Sequence, residues 1–130
     1  MEYTTFGRTD LRVSVMGLGA GGPSRIGQAT GESDATSIEI VRRALDAGVN
    51  YIDTAEAYNT EALVGRALMG VDRSRIVIST KKSYRTGISP SAVRQGVETS
   101  LRKLRSDYID IYNLHGVAAK DYPMLRDDIL

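Results

Sequence analysis

Short apolar runs alternate with amphipathic helical stretches from residue 15 onward, and no other feature limits the fold of this chain as strongly. Val15-Met16-Gly17-Leu18-Gly19 reads as a strand, followed by a polar, glycine-rich loop over 20–32. From Ser33 or Asp34 onward, apolar residues recur at Ile38, Val41, Leu45 and Val49, the spacing of an amphipathic helix closed at Gly48. Tyr51-Ile52-Asp53-Thr54 is the next strand. Thr60 then predicts the cap of a short helix carrying Leu63, Val64, Ala67 and Leu68 and stopping at Gly70. The β-branched run 76–80 reads as a buried strand. Ser89 as N-cap and Pro90 in the first turn open a helix whose stripe is Val93, Val97, Leu101 and Leu104. Residues 108–114 form the fourth strand, and 122–130 begin another helix. Ahead of this series, 3–6 and 11–13 pair as a hairpin around Gly7-Arg8-Thr9-Asp10.

Near-continuous apolar strands separated by helices imply a parallel sheet with right-handed crossovers. Two architectures satisfy the pattern: an open doubly wound sheet, or one arc of a (β/α)8 barrel. A whole barrel takes about 250 residues. This chain has 130, the size of one domain, and supplies four βα units behind the hairpin. Lys and Arg number 17 against 16 Asp and Glu, a net charge of +1, so no charge excess points to nucleic acid. The absence of cysteine removes disulfides, thiolate metal sites and a cysteine nucleophile, and is compatible with a cytoplasmic protein. No apolar run approaches the ~20 residues that cross a bilayer, and the polar stretch 1–10 is neither signal peptide nor anchor.

Gly17-Leu18-Gly19-Ala20-Gly21-Gly22 satisfies G-x-G-x-x-G after a strand, which raises a dinucleotide-binding loop as a reading. The context opposes it. In that motif the glycines run straight into a helix whose amides hold the pyrophosphate, whereas here 23–32 intervene before helical periodicity begins. Asp53 also lies well beyond the ~20 residues at which a ribose-binding acid is expected. The plainer reading is that glycine lets the backbone approach a neighbour closely.

Ligands of parallel α/β sheets gather beyond the carboxyl ends of the strands. There the second strand ends at Asp53, with Glu56 and Tyr58 in the following loop, the third at Lys81-Lys82, and the fourth at His115, the single histidine. The set suits proton transfer to a carbonyl oxygen. A phenol with a reference pKa of ~10 needs a nearby cation to act near neutrality. Lys81 would be that cation, Asp53 would hold the ammonium, and a neutral His115 would orient the oxygen. Alone, each residue has an ordinary structural explanation: a solvated Lys–Asp pair, a half-buried Tyr, a hydrogen-bonded His. Their coincidence at successive strand ends is what carries weight. A metal set of Asp53, Glu56 and His115 lacks a second histidine and any H-E-x-x-H spacing, so no metal is expected. Because side chains alternate, Lys82 points away if Val77, Ser79 and Lys81 share a face; the pattern alone leaves open which lysine serves.

Several ordered segments together resemble the first half of an aldo-keto reductase. They are Leu11-Arg12-Val13-Ser14 with Gly17-Leu18-Gly19; the stretch 48–58, which contains Asp53-Thr54-Ala55-Glu56-Ala57-Tyr58; Val64-Gly65-Arg66-Ala67-Leu68; Ile78-Ser79-Thr80-Lys81; and Tyr108-Ile109-Asp110-Ile111-Tyr112-Asn113-Leu114-His115. The resemblance implies a (β/α)8 TIM-barrel fold of which 1–130 is the N-terminal half. It also implies metal-free reduction of aldehydes or ketones with NADPH, with NADH as the alternative. It assigns Tyr58 as general acid, Lys81 as its partner, Asp53 as support for that lysine and His115 as orienter. Gly19, Ala20 and Asp53 would lie near the nicotinamide.

Members of that family continue through four more strands, so the chain is expected to be a partial barrel with little turnover alone. Its exposed edges predict self-association, and the uncapped stretch 127–130 reads as the end of an interrupted frame. Two competing readings are a non-catalytic accessory protein on the reductase scaffold and an isomerase or lyase using Lys81 in a Schiff base.

Overall fold

A computed structural model describes residues 1–85 and 88–128. Strand β1 (Tyr3–Thr5) pairs antiparallel with β2 (Arg12–Ser14), Tyr3 opposite Ser14. Four parallel strands follow: β3 (Leu18–Gly19), β4 (Tyr51–Asp53), β5 (Val77–Ser83) and β6 (Ile111–His115). They lie side by side in chain order. A doubly wound sheet reverses its strand order at a switch point; sequential order is that of a barrel arc. Helices α1 (Asp34–Asp46), α2 (Glu61–Ala67) and α3 (Pro90–Leu104) connect the strands, and α4 (Tyr122–Asp128) follows β6. The last part of the expected final helix, 129–130, lies outside the described residues.

Two helix starts follow the sequence reading. The Ser33 hydroxyl accepts from the Thr36 amide at 3.1 Å, and the Ser89 hydroxyl from the Ala92 amide at 3.2 Å with Pro90 leading the helix. Thr60 is the N-cap residue of α2 as expected, but its hydroxyl makes no capping bond: it pairs with that of Thr54 at 3.0 Å, both buried, which ties the helix start to the end of β4. The third apolar run contributes only two strand residues, Val15 and Met16 being exposed.

The fourth parallel strand begins at Ile111 rather than at 108. The Asp110 carboxylate accepts from the Ile78 amide at 2.9 Å and pairs with Arg73 at 2.6 Å, so this segment docks on β5 through a side chain before ladder pairing starts. Arg73 also donates to the carbonyls of Ile76 and Tyr108 and to the Ser106 hydroxyl, and stacks 4.1 Å from the centroid of the Tyr108 ring.

The register sorts the side chains. Leu18, Ile52 and Ile78 are laterally paired; they pack on the helix side with Val41, Leu63, Val64, Ala67 and Leu104, forming the core. Gly65 lets α2 and α3 touch through backbone, since a Cβ there would lie 2.8 Å from the Leu104 carbonyl oxygen. Glu61, fully buried, accepts from the Thr80 hydroxyl at 2.7 Å and faces Lys103 Nζ at 3.5 Å, linking α2, β5 and α3. Asn50 fastens the hairpin beneath the sheet, accepting from the Ser14 amide at 2.6 Å and donating to the Arg12 carbonyl at 2.9 Å.

Removing the hub should unsettle the start of β6. Arg73→Ala leaves Asp110 without its cation, and a loss of about 3 kcal/mol is expected in urea unfolding. A loss below about 0.5 kcal/mol would reduce the cluster to ordinary surface pairing.

Candidate active site

The expected residues converge at the carboxyl ends of β4, β5 and β6. Asp53 closes β4, and the backbone then enters a single 3-10 turn, Glu56–Tyr58, which carries the phenol. The Tyr58 amide bonds the Ala55 carbonyl at 3.0 Å, and Asn59 leaves the turn with φ 60°, a left-handed conformation that asparagine tolerates. Thr54 anchors the segment by donating its amide to the Ser79 carbonyl at 2.8 Å.

Lys81 occupies the middle of the cluster. Its ammonium lies 2.5 Å from Asp53 Oδ2 and 2.8 Å from the Thr54 carbonyl oxygen, and 5.3 Å from the centroid of the Tyr58 ring. The Tyr58 and His115 rings meet edge to face, centroids 5.5 Å apart at 85°. All four expected residues, Asp53, Tyr58, Lys81 and His115, thus share one neighbourhood. The side chains of Lys81 and Asp53 are 16% and 32% exposed, shielded enough to hold a fixed pair yet open to a ligand.

Two further side chains steady Asp53. The Ser79 hydroxyl donates to Asp53 Oδ1 at 2.9 Å and accepts from the Asn113 amide at 3.4 Å. Both follow from register: Ser79 lies opposite Asp53 and Ile111, and Lys81 opposite Asn113, so this face of three strands is polar toward its upper end. The alternation along β5 hinted at Ser79, two residues before Lys81; the partners on β6 became visible only with the pairing.

Alternation also separates the two lysines. Lys82 turns to the helix side and pairs with Glu56 at 2.8 Å, so Glu56 does not join Asp53 and His115. Tyr112 faces the helices as well, where its hydroxyl would lie 2.7 Å from a Cβ on Gly96. Burial, with Ser100 opposing and Glu56 and Glu61 reinforcing, pushes the Tyr112 phenol up to about 12, so it keeps its proton near neutrality. Tyr58 is the phenol that faces Lys81.

The glycine loop does not open a helix: a 3-10 turn at Gln28–Thr30 intervenes before α1. Its Gly21 instead lies against Tyr58, where a Cβ would come within 2.6–2.9 Å of the ring carbons. This is the close approach that the plainer reading anticipated. Of the expected cofactor contacts, Gly19 is exposed at the end of β3, with open space where a Cβ would be. Ala20 is fully buried in the core and its amide bonds the Asp53 carbonyl at 2.8 Å, so its side chain is closed to a ligand. A groove lies away from this cluster, along the hairpin and the start of β5, lined by Tyr3, Arg12, Arg42, Arg75 and Asp110 among others. Arg42 there is spent on the Ala67 carbonyl and Asp110 on Arg73.

Residues 15–126 match the model of the Aldo/keto reductase family. The chain is 33% identical to the NADH-specific methylglyoxal reductase of Escherichia coli (strain K12), over 88% of its own length and 42% of that protein. Among solved structures it is similar to the holo form of an aldo-keto reductase from Bacillus halodurans, with TM-score 0.76, 31% identity, and coverage of 98% of this chain and 47% of that one. It is also similar to a Bombyx mori aldo-keto reductase in complex with NADP, with TM-score 0.67, 28% identity, and coverage of 80% and 34%. The chain therefore spans about two fifths of such curated relatives and about half of the first of these structures.

The Gly21 contact is open to direct measurement. Gly21→Ala should cost about 1–3 kcal/mol in thermal or urea unfolding through collision with the Tyr58 ring. Adding Tyr58→Ala should recover most of that loss, and strictly additive losses would disprove the packing.

Proposed function

The chain belongs to the aldo/keto reductase family, and from that premise we propose that it is the N-terminal part of a cytoplasmic NADPH-dependent oxidoreductase that reduces aldehydes or ketones to alcohols. The observation that carries this reading is the meeting of a phenol, an ammonium and an imidazole around one small space: Tyr58 against His115, with Lys81 beneath the phenol ring. Sequential strand order and likeness to reductases solved with cofactor support it.

Each residue has a distinct task in the proposal. Tyr58 donates its hydroxyl proton to the carbonyl oxygen as the oxygen gains negative charge. Lys81 stabilises the phenolate left behind, and Asp53, itself held by Ser79, keeps the ammonium in place. His115 hydrogen-bonds the same oxygen and fixes the carbonyl plane. NADPH, when bound, would supply the hydride for the carbonyl carbon. Gly19, exposed and with open space at its Cβ position, and Asp53 would border the nicotinamide, with Ala20 buried behind them. NADH is the alternative donor, and the name of the Escherichia coli relative keeps it in view.

The sheet edges add a second element. Among the described residues β3 and β6 each have a parallel partner on one side only. We propose that copies of the isolated chain associate through these edges.

Three measurements test these statements. NADPH fluorescence titration of the 130-residue chain should show weak binding; tight binding would refute the need for further barrel segments. In a chain completed to a full barrel, Tyr58→Phe should cut carbonyl reduction by about 10²–10⁴-fold with cofactor affinity retained, and an unchanged rate would remove Tyr58 as the acid. Sedimentation of the isolated chain should give a mass above the 14.1 kDa protomer, and a monodisperse monomer would dismiss the edge pairing.

A further inference from the structure

Two lysines follow one another on β5 and face opposite sides of the sheet, Lys81 toward the strand-end cluster and Lys82 toward α3. The stem of Lys82 crosses α3 at Gly96, where a Cβ would sit only 2.7 Å from Lys82 Cδ. Its ammonium then reaches both oxygens of Glu56, 3.0 Å from Oε1 and 2.8 Å from Oε2. Glu56 is the first residue of the turn whose last residue is Tyr58.

We propose that the Glu56–Lys82 ion pair is a positioning device for Tyr58, clamping the turn onto the strand that also presents Lys81. The proposal rests on the reading of Tyr58 as proton donor. The turn's backbone bonds, Tyr58 to Ala55 and Asn59 to Glu56, are internal and set its shape without fixing its place. Thr54 and Thr60 hold only the segments on either side of it. Among the described residues, Glu56–Lys82 is the one ion pair joining residues of the turn to β5. Because Lys81 and Lys82 share a stretch of paired backbone, the clamp makes the phenol and the Lys81 ammonium move as one body.

The chemistry asks for such a device. A displacement of the order of 1 Å in a reacting group can cost about 10²-fold in rate; Gly21, His115 and Lys81 restrain the ring by packing, whereas the ion pair ties down the backbone that carries it. The pair is 21% and 35% exposed at its side chains, so as a stability element alone it counts for little. Its effect belongs in the placement of the ring, which is separately measurable.

The test compares Glu56→Gln, Lys82→Met and the charge-exchanged double variant carrying Glu56→Lys with Lys82→Glu, by proton NMR of the whole chain. Two signals report the ring: the nuclear Overhauser contact between Tyr58 and His115, and the ring-current shift of the Gly21 α-protons. Both single variants should lose the contact and move the Gly21 protons toward ordinary values, and the exchanged pair should restore both. Where turnover is measurable, each single variant should lower kcat about 10-fold with KM changed less than about 2-fold. If Glu56→Gln fails to fold, Lys82→Met, which keeps the stem against Gly96, decides with the exchanged pair. Unchanged ring signals in a folded single variant, or no restoration in the exchanged pair, would overturn the clamp. Intact ring responses in the chain, together with no reductase activity once it is completed to a full barrel, would uphold the clamp and refute the functional reading instead.

Discussion

The ammonium of Lys81, set between Asp53 Oδ2 and the Thr54 carbonyl oxygen, joins β5 to the end of β4 at the point where the chain leaves the sheet. A half-buried cation needs partners of this kind, since desolvation without them would be costly. Once the ammonium is held, the surrounding geometry follows. Thr54 fixes the start of the turn, the turn presents Tyr58, and the ring of Tyr58 rests between Gly21 and His115. Ser79 and Asn113 then occupy the remaining carboxylate oxygen of Asp53 through a short chain of donors, so three strands contribute to orienting one charge.

Much of the fold was legible because it is local. The 3.6-residue spacing in α1 and α3, the caps at Ser33 and Ser89 and the β-branched core of β5 are set by neighbours along the chain. What stayed hidden depends on partners far away in sequence. Residues 108–110 carry a strand-like apolar pattern, yet Asp110 spends its carboxylate on Arg73 and the Ile78 amide, which delays pairing to Ile111. Thr60 has the residue type of a cap, but the buried Thr54 hydroxyl competes for it and wins. The site divides the same way. Its four main residues could be read from strand ends, whereas Ser79, Asn113, Gly21 and the Glu56–Lys82 pair needed the register and the loop path.

The helix layer is held by two different means. Gly65 allows direct backbone contact between α2 and α3, and apolar side chains from Val41 to Leu104 seal the space above Ile52 and Ile78. Beside them sits Glu61, a buried carboxylate facing Thr80 and Lys103. Buried charges of this type add little net stability against an apolar replacement, but losing one partner is expensive. They therefore favour one arrangement of α2, β5 and α3 over near neighbours, and Thr80 and Lys81 are adjacent, so that arrangement also sets the height of the ammonium.

Strand neighbours in space are also neighbours in the chain, and this has a kinetic meaning. Lys81 and Asp53 are 28 residues apart, Asn113 and Ser79 are 34, and Asn50 and Ser14 are 36. Parallel pairings of this separation are slow to close, yet each spans a single βα unit rather than the whole chain. Each βα unit can dock on the one synthesised just before it, so the tyrosine–lysine–histidine corner is able to assemble at the ribosome as soon as β6 emerges.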